Sequence, residues 1–284
     1  MSGRHTVKSL NKNEIYSSVF KSDSLSIKYW KGGQGPTLVF IHGFGGDGTV
    51  TWEKELKHFV ETNTIITYDL LWFGDSYSNE PANLSTQTSA LEKLLAHLQI
   101  DSATLIGQSY GGFVALDFAY KFPDKVERLV IANSPGPTFD ISYLDTVCKN
   151  FELNTISDLF VLEDPNNIQR LMNAATYSDK HIPKFLRRQM FDAYFHKNNA
   201  EQIALMTSLP AEQSKMQDLS TFKKIPTLVL WGENDEIFPL KEGQKFATAI
   251  DAKFVSIPKC GHGPQVDQHK AFLKILNDFI QPQL

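Results

Sequence analysis

The sequence predicts an α/β protein, a doubly wound and mostly parallel sheet that carries a helical insertion. Three observations lead there. Short apolar, β-rich runs alternate with helical patterns along most of the 284 residues. Runs such as Thr37 to Ile41 (TLVFI) are apolar throughout, as strands covered on both faces must be. The alternation also stops for a single stretch, residues 135–219, which holds helical patterns and no strand.

Taken in order, Glu14 to Phe20 and Leu25 to Lys31 flank Lys-Ser-Asp-Ser and predict an antiparallel hairpin. Thr37 to Ile41 is the first buried strand, Trp52 to Val60 a helix, and Thr64 to Tyr68 the next strand. Leu91, Leu94, Leu95 and Leu98 fall at i, i+3, i+4 and i+7, the apolar stripe of a helix lying on a sheet. Strand Thr104 to Ile106, a helix from about Gly111 to Phe122 and strand Arg128 to Ala132 follow. Ser-Pro-Gly-Pro then marks a boundary. Beyond it come patterns such as Lys184 to His196, read as a helical layer over the sheet. After Pro226 the rhythm resumes with Thr227 to Trp231, a helix near Leu240 to Ala249, strand Phe254 to Ile257 and a last helix from Gln268. The expected division is a core of residues 1–134 and 220–284 and an insertion of residues 135–219.

Composition excludes several classes. With 28 Lys plus Arg against 32 Asp plus Glu, a net charge of −4 and no run of one sign, there is no basic stripe for a phosphate backbone, so nucleic acid is not an expected partner. Two cysteines, Cys148 and Cys260, make no disulfide framework and fit a reducing compartment. The polar opening MSGRHTVKSLNKNE lacks the apolar core of a secretory signal, and no segment approaches the ~20 apolar residues of a bilayer span. These features lead us to expect a soluble, cytoplasmic protein.

Two glycine motifs compete for the chemistry. Residues 43–48 (GFGGDG) match G-x-G-x-x-G between a strand and a helix, with Asp69 about 20 residues on, the pattern that cradles a dinucleotide pyrophosphate. Gly107-Gln108-Ser109-Tyr110-Gly111 matches G-x-S-x-G directly after a strand and before a helix. In that setting a strained turn lifts a serine hydroxyl above the sheet, and the small flanking residues let strand and helix approach. A nucleophilic serine also needs an imidazole to take its proton and a carboxylate to hold the imidazole's tautomer. Asp235, in Trp231-Gly232-Glu233-Asn234-Asp235, and His262, in Cys260-Gly261-His262-Gly263, both lie just past strand ends, in the chain order Ser, Asp, His. The loop His42-Gly43-Phe44-Gly45-Gly46 then supplies one N–H to an oxyanion hole. The hydrolase reading uses every motif; the dinucleotide reading leaves the others idle.

On these residues the sequence resembles the α/β-hydrolase-fold group of cap-bearing esterases, C–C hydrolases and dehalogenases, along essentially its whole length. The resemblance implies an α/β-hydrolase core with residues 135–219 as a helical cap. It implies Ser109 as nucleophile, His262 as general base and then acid, and Asp235 as the acid that orients it. The backbone N–H groups of Phe44 and Tyr110 are the implied oxyanion donors. A serine nucleophile argues against the dehalogenases and epoxide hydrolases of the group, which use a carboxylate. The sequence departs from the group's pattern at two places. The group often has D-x-x-G-x-G-x-S where this chain has Asp69-Leu70-Leu71-Trp72-Phe73-Gly74-Asp75-Ser76, with Trp72 for the first glycine; this substitution alters the loop or adds an aromatic wall. C–C hydrolases often carry Trp after the catalytic His, where this chain has Gly263.

Among rivals, Glu233 and Glu236 flank Asp235, Asp267 reads as a carboxylate at a helix start, and Asn133 occupies the alternative acid position but is an amide. His42 is read as shaping its loop, and His5, His58, His97, His181, His196 and His269 as surface residues without ligand spacing. No metal and no cofactor are expected. The insertion's many Phe, Tyr, Leu and Met residues are mostly core, with a few facing Ser109. Arg187 and Arg188 are read as a solvated helix face, with a contact to a substrate carboxylate as the alternative. The expected function is hydrolysis of a small or medium apolar acyl compound, a carboxylic ester first, through an acyl-enzyme. C–C, amide or lactone hydrolysis and aminopeptidase activity remain as alternatives, as does, in another class, a slow-turnover ligand sensor.

Overall fold

The computed structural model describes residues 3–178 and 181–281. In chain order the elements are α1 (Gly3–Asn11), β1 (Tyr16–Lys21), β2 (Leu25–Gly32), β3 (Thr37–Ile41), α2 (Gly48–Phe59), β4 (Thr64–Tyr68), β5 (Tyr77–Ser78), α3 (Leu84–His97), β6 (Ala103–Gln108), α4 (Tyr110–Lys121) and β7 (Val126–Ala132). Then come α5 (Tyr143–Asn150), α6 (Ser157–Phe160), α7 (Ile168–Ala175), α8 (Lys184–Tyr194), α9 (Asn199–Gln213), α10 (Ser220–Lys223), β8 (Thr227–Gly232), α11 (Leu240–Ile250), β9 (Lys253–Ile257), α12 (Pro264–Asp267) and α13 (His269–Ile280).

The strands form one sheet in the order β1-β2-β4-β3-β6-β7-β8-β9, with β5 added on β2. β1, β2 and β4 pair antiparallel, so the hairpin expected at the N-terminal end is present, with Tyr16 opposite Lys31 and Lys21 opposite Ser26. From β4 through β9 every pairing is parallel. Continuous apolar runs are what a sheet with two covered faces requires. Along β3, Leu38 and Phe40 enter one core while Val39 and Ile41 enter the other, and on β8 Leu228 and Leu230 oppose Val229 and Trp231 in the same way.

The expected helix at Trp52 begins earlier, at Gly48, because the Asp47 carboxylate accepts the N–H groups of Thr49 (2.8 Å) and Val50 (2.7 Å) and caps the first turn. The sequence reading missed α1, whose single apolar anchor in the core, Leu10, is buried beside Trp52 and Leu56 of α2. Between β7 and β8 the described residues contain helices and no strand. Phe160, Leu171 and Phe195 of that stretch are buried in the same core as the β3 and β6 side chains Ile41 and Leu105. The helical stretch thus packs over the loops at the C-terminal ends of the parallel strands, where Phe195 and Leu171 lie beside Gly45.

Candidate active site

Ser109 sits between the last residue of β6 and the first of α4 with φ 53° and ψ −122°, a left-handed backbone that a non-glycine residue adopts only when its surroundings enforce it. They do so through close backbone contact. A Cβ on Gly107 would lie 2.4 Å from the Gly111 carbonyl oxygen, and one on Gly111 would lie 2.3 Å from that of Ile41 and 2.5 Å from that of His42. The Ser109 N–H donates to the Ala132 oxygen at 3.0 Å, tying the turn to β7. The serine is 7% exposed, at the edge of a cavity.

The loops after β8 and β9 bring Asp235 and His262 together, and His262 lines the cavity with Ser109. His262 Nδ1 lies 2.9 Å from Asp235 Oδ2. Asp235 Oδ1 accepts the N–H groups of Ile237 (2.9 Å) and Phe238 (3.0 Å), and Oδ2 also accepts from Asn133 Nδ2 at 2.7 Å. A carboxylate is acceptor-only, so His262 Nδ1 carries the proton in the neutral ring and Nε2 keeps its lone pair. That Nε2 is buried and has no partner, while its ring and Ser109 line one cavity. Nucleophile and base are often loosely spaced before a ligand binds. Glu233 and Glu236, the neighbouring carboxylates, are exposed, so burial separates Asp235 from them.

The loop after β3 approaches the elbow so closely that a Cβ on Gly43 would stand 3.0 Å from Ser109 Cβ. The Phe44 and Tyr110 N–H groups donate to no protein acceptor among the described residues. His42 is wholly buried and burial pushes its imidazole below the ordinary range. Its Nε2 accepts the Leu70 N–H (2.9 Å), so Nδ1 is the donor to the Gly43 oxygen (2.7 Å). His42 therefore shapes the loop, as the sequence suggested. Asp69 is buried and accepts from Gly48 N (3.1 Å) and Asp75 N (3.0 Å), and burial pushes its carboxyl up to about 8. At 2% exposure Asp69 is closed off from any ligand, so the G-x-G-x-x-G match at 43–48 serves loop packing.

The cavity, of about 230 Å³, is walled by Phe44, Phe160, Leu171, Met172, Met190 and Phe195, with Val50 and Val266 at exposed positions. Among the described residues, no Lys or Arg lines it. Arg187 instead donates to the Asn166 oxygen (3.4 Å), and Arg188 pairs with Asp192 in solvent, 68% exposed. Asp267 lies in the first turn of the four-residue α12, the helix-start carboxylate expected, and its carboxylate accepts from Gly261 N and Tyr177 N, both at 2.8 Å. His269 is half-buried against Glu55 (3.1 Å) rather than a bare surface residue. Gln108, which carries no catalytic motif of its own, lines the cavity and donates from Nε2 to the His262 oxygen at 3.1 Å. Asn133, an amide at the alternative acid position, serves instead as a donor to Asp235. No periodic signal marks either role, because both depend on loops far apart in sequence.

A family model described as alpha/beta hydrolase fold matches residues 36–268. The 2-hydroxy-6-oxo-2,4-heptadienoate hydrolase of Pseudomonas putida is 25% identical over 87% of this chain and 90% of its own length. The 2-hydroxymuconate semialdehyde hydrolase of Pseudomonas sp. CF600 is 29% identical over 87% of this chain and 88% of its own. A crystal structure assigned as a lipase from Acinetobacter baumannii superposes with a TM-score of 0.80 at 18% identity, covering 99% of this chain and 97% of that one. Among the described residues no helix is long and apolar enough to cross a membrane.

Proposed function

Because this chain belongs to the α/β-hydrolase family and is a hydrolase, we propose that it is a serine hydrolase that cleaves carboxylic esters of small or medium apolar acids through an acyl-enzyme on Ser109. The observation that carries this reading is the buried constellation itself. A strained Ser109 shares an apolar cavity with His262 Nε2, and Asp235 fixes the His262 tautomer at 2.9 Å. In the proposed reaction Nε2 takes the Ser109 proton as Oγ attacks the ester carbonyl. The Phe44 and Tyr110 N–H groups receive the oxyanion, where one donor is worth about 3 kcal/mol of barrier. The imidazolium then protonates the departing alcohol, and water releases the acid by the same steps in reverse order of roles. The helical stretch 135–219 acts as the cap that closes this cavity, with Phe160, Met172 and Met190 setting its apolar character.

The curated relatives favour a second reading, cleavage of a C–C bond in a ring-fission product. Both are named for substrates that carry a carboxylate. A desolvated carboxylate calls for a cationic partner, and none lines this cavity among the described residues, while Gly263 leaves no side chain beside His262. The ester reading asks for neither. The test is turnover of p-nitrophenyl esters of increasing acyl length beside a 2-hydroxy-6-oxo-dienoate, each with Ser109→Ala as control. Ester release with a length optimum, abolished by Ser109→Ala, supports the first reading. Dienoate cleavage faster than any ester replaces it with the second, and ester release that survives Ser109→Ala removes the serine mechanism.

A further inference from the structure

Trp72 has φ +67°, in a region that costs a bulky side chain steric strain. The strain is held on several sides. The indole is 1% exposed and donates to the Ser78 oxygen at 3.3 Å, and the Trp72 N–H donates to the Ser76 oxygen at 3.0 Å. The left-handed turn aims the Trp72 carbonyl away from its own loop, at the start of α9. There it accepts two hydrogen bonds, from Gln202 Nε2 (2.9 Å) and Asn198 Nδ2 (3.1 Å). Gln202 is 3% exposed, and Asn198 is itself left-handed, with φ 56°.

The same loop is the template for the oxyanion loop. Leu70 N–H binds His42, whose other nitrogen holds the Gly43 carbonyl. Asp69 binds the N–H of Gly48. Phe73, the residue after the strained peptide, sets its ring edge-on against Phe44 at 4.9 Å and against His42 at 5.5 Å. Protein interiors are close-packed and transmit strain, so a change in the Trp72 peptide, which adjoins Phe73, is passed to the edge-on contact of Phe73 with Phe44.

We propose that Gln202 and Asn198 are positioning residues: by holding the Trp72 carbonyl they keep Phe73 against Phe44 and so fix the Phe44 N–H in the oxyanion hole. The helical layer over the site thereby reaches the reacting carbonyl through a strained peptide, and the hole is complete only while α9 is docked. The inference rests on the serine-hydrolase reading and on Phe44 as an oxyanion donor.

The variants are Gln202→Leu, close in shape and without a donor, and Asn198→Gly, which keeps the left-handed backbone and loses the amide. Three quantities are measured: the rate of Ser109 labelling by a fluorophosphonate, whose phosphoryl oxygen occupies the same hole; kcat and KM on p-nitrophenyl acetate, too short to lean on the cap; and the thermal midpoint. Labelling rate and kcat are expected to fall together, about tenfold for Gln202→Leu and more for the double variant, within the roughly 100- to 1,000-fold that a whole donor carries. KM is expected to stay near wild type, while the midpoint falls by the modest amount that a weakened buried hydrogen bond costs and the protein stays fully folded at the assay temperature. Unchanged labelling and kcat with a raised KM would make the pair a mere tether of the cap and overturn the proposal. So would losses that come from unfolding at the assay temperature, or equal labelling in all forms. A wild-type chain that does not label at Ser109 removes the serine reading and this inference together, whereas wild-type labelling matched by the variants removes the inference alone.

Discussion

Replacing Asp235 by Asn tests the proposed relay through its hydrogen bonds. The carboxylate Oδ1 accepts the N–H groups of both Ile237 and Phe238, at 2.9 and 3.0 Å. In the variant that place suits only the amide oxygen, so the amide nitrogen must take the Oδ2 position. It then faces His262 Nδ1, 2.9 Å from Oδ2 in the wild type, and donates where a carboxylate accepted. His262 is driven into the other tautomer, its Nε2 carries a hydrogen, and the lone pair that would take the Ser109 proton is gone. Asn133, whose Nδ2 lies 2.7 Å from Oδ2, can turn over and offer its Oδ1 to the new amide, at the cost of the long 3.4 Å bond that Nδ2 makes to the Gly261 oxygen. The same exchange in the serine-protease template costs about 10⁴-fold in kcat, or roughly 5 kcal/mol of barrier. The assay is kcat for Ser109-dependent ester release, with a thermal melt to show that the variant folds. A folded Asp235→Asn protein that keeps more than about a tenth of wild-type kcat would mean that Asp235 does not set the tautomer.

Other outcomes follow from the same geometry. Gly111→Ala puts a Cβ 2.3 Å from the Ile41 oxygen and 2.5 Å from the His42 oxygen, both backbone atoms. It should cost at least about 3 kcal/mol in denaturant melts and abolish labelling of Ser109. Phe160 and Ile237 are walls shared by the main cavity and a smaller apolar one of about 40 Å³ behind them, lined by Phe113, Phe139 and Phe238. Phe160→Ala should join the two and move the acyl-length optimum toward longer chains in the p-nitrophenyl series; an unmoved optimum would place the acyl group elsewhere. Glu55 is buried on α2 with its carboxyl pushed up to about 7 by desolvation. Its folded value lies above the unfolded one, so its contribution to stability is complete below about pH 4.5 and is lost as the pH rises through 7. Glu55→Gln should flatten that fall in melts between pH 4 and 8, gaining at most about 3 kcal/mol at the alkaline end.

Much of this protein can be read without coordinates, because the features concerned are local. Continuous apolar runs announce strands covered on both faces, and TLVFI and TLVLW are such strands in β3 and β8. A serine two residues from glycine on either side, at a strand-to-helix junction, has few ways to fold, and Ser109 takes the expected strained turn. Asp235 and His262 were legible because the ends of parallel strands converge on one edge of the sheet, whatever lies between them in sequence. Tertiary structure alone decided matters that depend on contacts between distant segments. Asp235 is set apart from Glu233 and Glu236 by burial against His262 Nδ1, while the two glutamates are exposed. Asp69 looked like a ribose ligand until the fold buried it, with Gly48 and Asp75 on its oxygens. Arg187 and Arg188 acquired their meaning from where α8 points them, away from the cavity lining. Asn133 and Gln108 carry no sequence signal because their partners, Asp235 and His262, are 102 and 154 residues away. Local steric and hydrophobic rules act within a few residues of the chain, so they specify elements and turns. Which polar groups meet, and which cavity wall a side chain joins, is settled only when the sheet and its helical layer close on each other.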